Sequence, residues 1–255
     1  MHRLTVRGVF SDAWDVYRLL FKRSIAVALA IYALIYAFDI ANENISHGSL
    51  AVGLSLLGSV LSFAGPILVQ GALVKIVRSV HEGTRPASAV ILMRDAGDRI
   101  VSLVGASLLY ALGVIVGLLL FIVPGLVAAA RMALMAPAIM LEGLSTIPAE
   151  RRSNAIVRGQ SETGLGDQTW FAVGVVVSSW LLTTGVPTAL SYSAYAGVWD
   201  WAAWVLGAVA ATLFAPYQAH ILSVLYYRLV DPHRPAIDPR VRTWSSVWAG
   251  APETA

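Results

Sequence analysis

The chain has 255 residues and not one cysteine, which excludes a disulfide scaffold and any thiolate-bound metal. Charge is almost as scarce. Asp, Glu, Lys and Arg make up 13% of the residues, about half the ~25% of an ordinary soluble domain. The histidines His2, His47, His81, His220 and His233 are scattered, and no two of them have the spacing of metal ligands. A Walker-type glycine loop and a Gly-x-Ser-x-Gly elbow are both missing. No polar segment exceeds about 30 residues, too few for an independent soluble catalytic domain of ~50 or more. These absences predict no catalytic residues, no cofactor and no metal. With a net charge of only +3, the basic residues call for no nucleic acid either.

What the sequence has in abundance is apolar surface: 57% hydrophobic residues and a mean hydropathy of +0.70. A bilayer core needs roughly 20 apolar residues per helix. Six stretches qualify, at about 24–40, 49–77, 100–123, 126–141, 170–194 and 199–227. The fold class expected is all-α, a polytopic bundle of six transmembrane helices over residues 24–228. Residues 1–23 precede it as an amphipathic lead-in helix, and residues 229–255 follow as a disordered, proline-rich tail.

Spans three and four lack a polar loop between them. The 42 residues from Ile100 to Leu141 contain one charge, Arg131. At 1.5 Å per residue they cover about 63 Å, enough for two crossings and far too much for one. Pro124-Gly125 lies near the midpoint, where a residue without a donor and one tolerant of positive φ suit a tight turn. A re-entrant hairpin is the alternative, and charge counting does not distinguish the two.

Of the 18 Lys and Arg residues, 17 fall in four segments. These are the first 23 residues, the region from Lys75 to Arg99, the loop after span four, and the tail. The intervening loops hold none. The positive-inside rule then puts both termini in the cytoplasm, a parity that six spans satisfy. The basic lead-in is too long for a cleaved signal, so span one reads as a retained signal anchor in the cytoplasmic (inner) membrane.

Val6, Val9, Phe10, Ala13, Trp14, Tyr17, Leu20 and Phe21 recur at helical spacing opposite Arg7, Arg18 and Lys22. Such a helix lies on the inner leaflet and meets lipid or a partner, or simply leads into span one. Short helices are predicted at Ala87–Ala96 and at Ala149–Arg158, the second ended by Gly159.

Ionisable and amide groups inside a membrane are costly and are default functional candidates. Arg131 stands first, as an anion or headgroup contact in a cavity or as a snorkelling structural residue. Glu142 closes span four, within reach of Arg151, Arg152 and Arg158. Gln70 and His220 each follow a proline, Pro66 and Pro216, by four residues, and an arginine follows each proline by twelve. That match hints at a repeated hairpin whose kinks flank a central cavity faced by Gln70 and His220; the alternative is that each side chain bonds a neighbouring helix. Pro137 marks a further bend. Gly113 and Gly117, like Gly53 and Gly58, predict close helix approach, and Trp180, Trp199, Trp201 and Trp204 predict interfacial belts.

The run ARMALMAPAIMLEG (Ala130 to Gly143), followed by ERRSNAIVRGQ (Glu150 to Gln160), resembles the glycerophosphoryl diester phosphodiesterase membrane-domain family, found in many bacterial inner-membrane proteins. The shared elements are Pro124-Gly125, Arg131, Ala136-Pro137, Glu142, Arg152-Ser153 and Arg158-Gly159. Phe10 to Phe21 and Ala215 to Arg228 are also similar. Gly164 to Gln168 stands in place of the Trp-rich entry common in relatives. The resemblance implies a six-helix membrane domain without the phosphodiesterase activity, which resides in a separate catalytic barrel.

The function expected is therefore non-enzymatic: binding membrane lipids, an envelope partner or a second copy, or assisting transport. A secondary transporter or permease component is the alternative. An intramembrane enzyme on lipid phosphodiesters ranks last, because the spans hold no carboxylate away from their ends.

Overall fold

The structure is a computed structural model that describes residues 4–44, 49–84, 87–159, 167–186, 188–189 and 200–232. Among these residues it is all-helical. The helices are α1 (Val6–Asn44), α2 (Ser49–Glu82), α3 (Ala89–Gly97), α4 (Ile100–Leu120), α5 (Ile122–Met132), α6 (Met135–Glu142), α7 (Thr146–Val157), α8 (Thr169–Trp180), which runs into a π-helical turn at Leu181–Gly185, and α9 (Asp200–Val230). Among the described residues, five segments are long and apolar enough to cross a membrane: Val6–Phe38, Val52–Glu82, Ile100–Leu120, Ile122–Glu142 and Val205–Val230. Thr169–Gly185 is a shorter apolar helix. The rest of the expected fifth span falls largely outside the described residues, as does most of the tail.

The lead-in and span one form one uninterrupted helix of 39 residues. No glycine or proline occurs between Val9 and Asn44 to break it. Its apolar stripe faces protein: Val9, Ala13, Val16, Tyr17 and Leu20 are buried. The Tyr17 hydroxyl donates to the Leu213 carbonyl at 3.0 Å, beside the gap that Pro216 leaves in the α9 ladder. The Tyr217 hydroxyl donates to the Phe10 carbonyl at 3.2 Å. Phe10, Trp14 and Tyr17 all set their rings against Tyr217. This clamp occupies most of the face that the sequence offered to lipid, to a partner or to a simple lead-in, while Trp14 and Phe21 stay exposed.

Three prolines govern the middle of the chain by one mechanism. A proline ring clashes with the carbonyl four residues back, yet is tolerated in the first helical turn, where its missing N–H has no partner to lose. Pro124 stops α4 at Leu120, Pro137 interrupts the next helix at Ala133-Leu134, and Pro148 delays α7 to Thr146. Each proline is the third residue of its helix. The turn between α4 and α5 accordingly falls at Phe121, in extended conformation (φ −167°, ψ 162°). Pro124-Gly125 is not the turn itself but the first turn of the returning helix.

Gly125 has another task. α4 and α5 run antiparallel and nearly touch at Gly117, where an added Cβ would stand 2.7 Å from Gly125 Cα. Gly113 similarly makes room for the Met132 thioether, whereas Gly53 has nothing within 4 Å of its side-chain position. The two short helices form as Ala89–Gly97 and Thr146–Val157, and Gly159, at φ +68°, follows the latter.

Candidate functional site

Charged side chains gather at one end of the bundle. Arg228 Nη2 donates to Asp12 Oδ2 at 2.6 Å, tying α9 to α1. Lys75 pairs with Asp95 at 2.5 Å, holding α3 on α2. His81 stacks on Tyr227 with ring centroids 3.8 Å apart. Of the three arginines within sequence reach of Glu142, the structure selects Arg152, whose Nε lies 2.8 and 3.0 Å from the two carboxylate oxygens; Arg151 and Arg158 are exposed. The Tyr226 hydroxyl donates to the same carboxylate, a contact the sequence reading missed. Burial pulls the Arg152 pKa down, but the hydrogen bond and charge of Glu142 outweigh it and hold it above the ordinary value. Arg99 donates to the Gly143 carbonyl at 2.8 Å.

Arg131 lies in the last turn of α5, beside the break imposed by Pro137. The Ser153 hydroxyl donates to the Arg131 carbonyl at 2.6 Å and accepts from the Leu134 N–H at 3.1 Å. A side chain from α7 thus replaces part of the missing backbone ladder. Arg131 Nε donates to Thr169 Oγ1 at 3.3 Å, and the Thr169 N–H donates to Asp167 Oδ1 at 2.8 Å. Hydrogen bonds from the Thr169 side chain and backbone hold the Asp167 carboxyl below its usual range, with the charges of Arg131 and Arg158 adding to them. Arg131 therefore belongs to a polar relay that docks α8 and α7 against α5.

His220 has a different environment. It is fully buried, with Nε2 3.0 Å from Ser24 Oγ, and Nδ1 meets no partner among the described residues. Its ring leans towards Tyr17 at 6.0 Å. The expected shared cavity of Gln70 and His220 does not form, because His220 points into the α1–α9 contact. Matching proline spacing sets the level of a residue along its helix, but the face that packs inward differs between α2 and α9.

Gln70 does face a cavity, and the amide that lines it from α9 is that of Gln218. Two residues on a helix point about 200° apart, so Gln218 and His220 look in opposite directions. The cavity has a volume of about 180 Å³, enough to admit several waters. Ser107 and Tyr110 enter it from α4, Ser179 and Trp180 from α8. Leu103, Met132 and Leu222 supply apolar wall. Tyr110 sits halfway along the 21 residues of α4, which places the cavity midway through the bundle. Trp180 is 58% exposed and stands at its mouth.

Among the described residues, the walls carry no charged side chain, no histidine and no cysteine. The Ser179 hydroxyl donates to the Val176 carbonyl at 2.8 Å. The Thr183 hydroxyl, on the π-helical turn, lies 2.7 Å from the Ser179 carbonyl and 3.1 Å from Gln218 Oε1. Gln70, Ser107 and Tyr110 have no side-chain hydrogen bond among the described residues. Gln218, Tyr110, Ser107 and Ser179 were all missed from sequence. One signal was available: Gln70 and Gln218 are the two carboxamides within the six expected spans.

Comparison with protein-family models, with curated proteins and with solved structures gives no match.

Proposed function

We propose that this chain is a non-enzymatic, six-span protein of the cytoplasmic membrane that binds lipid in the cavity between α2, α4, α8 and α9, serving an envelope partner or a transport process. The observation that carries this reading is the convergence of Gln70, Ser107, Tyr110, Ser179 and Gln218 on one space. Amides and hydroxyls within a bilayer are costly, and of the five that converge there Gln70, Ser107 and Tyr110 have no side-chain hydrogen bond among the described residues. The gathering of Lys75, Arg99, Arg152 and Arg228 at one end supports a cytoplasmic placement of that end. The likeness to the glycerophosphoryl diester phosphodiesterase membrane domain supports the six-span reading. Among the described residues the wall holds no carboxylate or imidazole, which supports a binding role over catalysis.

Native mass spectrometry of the full chain tests the proposal. Wild-type protein retains a small-molecule adduct, and Gln70→Leu/Gln218→Leu loses most of it while keeping its folded charge-state distribution. An adduct unchanged in the double variant would reject the cavity as its site.

A permease component is the second reading, favoured by the π-helical turn at Leu181–Gly185, since π-turns recur where helices rearrange for function. The absence of native cysteine makes the distinction clean. Under the lipid-binding reading, Gln70→Cys in intact cells resists a membrane-impermeant maleimide from either side. Rapid labelling from one side would transfer the assignment to a permease.

A further inference from the structure

We infer that the cavity holds the un-ionised hydroxyl of a lipid, that is, an alcohol carried on a hydrocarbon chain, a reading that rests on the cavity being a binding site.

Depth and charge set the first limit. Gln218 lies ten residues from Arg228 on α9, and Ser107 lies eight from Arg99 at the foot of α4. The cavity therefore stands about 12–15 Å along these helices from the charged end. A lipid headgroup held at that end does not reach it, so the polar group that fills it sits within the hydrocarbon. Among the described residues no charged side chain lines the wall, and Nε of Arg131 donates to Thr169 instead. A phosphate, carboxylate or ammonium brought here would shed its water without a counter-charge. The polar group of the ligand is therefore neutral.

Hydrogen bonding sets the second limit. The Thr183 hydroxyl has one proton, and the Ser179 carbonyl at 2.7 Å takes it. At its 3.1 Å contact with the Gln218 carboxamide Thr183 is then the acceptor, so that amide turns its NH2 to Thr183 and its oxygen to the cavity. The Ser179 hydroxyl has likewise given its proton to the Val176 carbonyl. Two oxygens, one on α8 and one on α9, are thus left able only to accept. Gln70, Ser107 and Tyr110 can each donate and accept, and none of them has a side-chain hydrogen bond among the described residues. An ester or ether brings lone pairs alone and leaves the Ser179 and Gln218 oxygens unpaired, which is costly in hydrocarbon. A hydroxyl gives a proton to one of them and accepts one from Gln70, Ser107 or Tyr110. Water could do the same, but it leaves the apolar wall of Leu103, Met132 and Leu222 without the contacts that a hydrocarbon chain supplies. Trp180 at the mouth and Leu181 beside it are exposed on an apolar helix, so the mouth opens towards lipid.

The full chain in detergent is titrated with three amphiphiles at equal mole fraction in the micelle. These are decanol, its isomer methyl nonyl ether, which accepts but cannot donate, and decanoate; glycerol serves as a soluble hydroxyl. Binding is read as a saturable rise in Tm, since a ligand selective for the folded state stabilises it. Decanol raises Tm saturably, and the ether binds about tenfold more weakly, as expected when buried acceptors find no proton. Ser179→Ala and Gln218→Met each remove one acceptor-only oxygen. In each the alcohol weakens, the ether does not, and the gap between them narrows to about threefold. The two changes lie on different helices, so a folding failure of one variant leaves the other as the test. Glycerol gives no saturable shift; a saturable shift with it would overturn the lipid source.

Equal binding of alcohol and ether, a gap unchanged in the variants, or tighter binding of decanoate would overturn the hydroxyl assignment while leaving a binding site in place. No saturable shift with any probe, together with no adduct in native mass spectrometry, would overturn both.

Discussion

Gly117→Val removes the folded state in detergent or lowers its Tm beyond any other single substitution in α4. The reason is backbone proximity. A Cβ on residue 117 would lie 2.7 Å from Gly125 Cα, 2.8 Å from its nitrogen and 3.0 Å from the Pro124 carbonyl carbon. Side chains yield by rotating, but a helix backbone yields only by moving as a body. Such a movement would separate α4 from α5 and disturb the wall of the cavity, to which both helices contribute. Overpacking of a tight contact usually costs about 1–3 kcal/mol; alanine falls in that range and valine above it. Gly53→Val is the matched control, because that position is open and its Tm stays near wild type. Thermal unfolding of the purified variants decides the matter. Wild-type stability of Gly117→Val would mean that α4 and α5 do not approach as described.

Asp12→Ala is the second large effect. Arg228 retains only 14% side-chain exposure, and both Nε (3.0 Å) and Nη2 (2.6 Å) reach Asp12 Oδ2. Removing the carboxylate leaves a mostly buried guanidinium without its counter-charge. Fully buried pairs lose about 3–5 kcal/mol on such a truncation, and screening at the partly exposed Asp12 reduces the figure here to about 2 kcal/mol. The double variant Asp12→Ala/Arg228→Met recovers part of the loss, since the orphaned charge goes with its partner. Glu82→Ala makes the comparison: Arg78 and Glu82 are 44% and 42% exposed, and that i,i+4 pair contributes no more than ~0.5 kcal/mol. A double-mutant cycle in detergent measures both. If Asp12→Ala proves as neutral as Glu82→Ala, the clamp of α1 on α9 is not electrostatic.

Much of the chain's middle was legible in residues whose action is local. Gly159 closes α7 because a positive φ suits glycine, and the two short helices appear within a few residues of their predicted limits. Pro124 and Pro137 were recognised as breakers, yet the turn was placed on Pro124-Gly125 although it lies at Phe121. Proline acts on the carbonyl four residues earlier, so the break precedes the residue that causes it. Ser153 was marked only within the Arg152-Ser153 pair of the family resemblance, and its task of bridging Arg131 and Leu134 exists only once α7 folds back on the break.

The candidate site was legible in half. Gln70 stood out as an amide in an apolar stretch. Gln218 carried the same signal and was passed over for His220, which shares the proline spacing. Ser107, Tyr110 and Ser179 bear no mark in sequence, because serine and tyrosine are tolerated in apolar helices whether they face lipid, a neighbouring backbone or a cavity.

Composition alone determined that the chain is helical with several segments able to cross a membrane, because hydrocarbon leaves a backbone with few ways to satisfy its own hydrogen bonds. Which polar side chains meet was decided only by the tertiary structure. Sequence spacing specifies height along a helix, while the azimuth at which two helices touch depends on small residues such as Gly117 and Gly125 and on side chains hundreds of positions apart, such as Asp12 and Arg228.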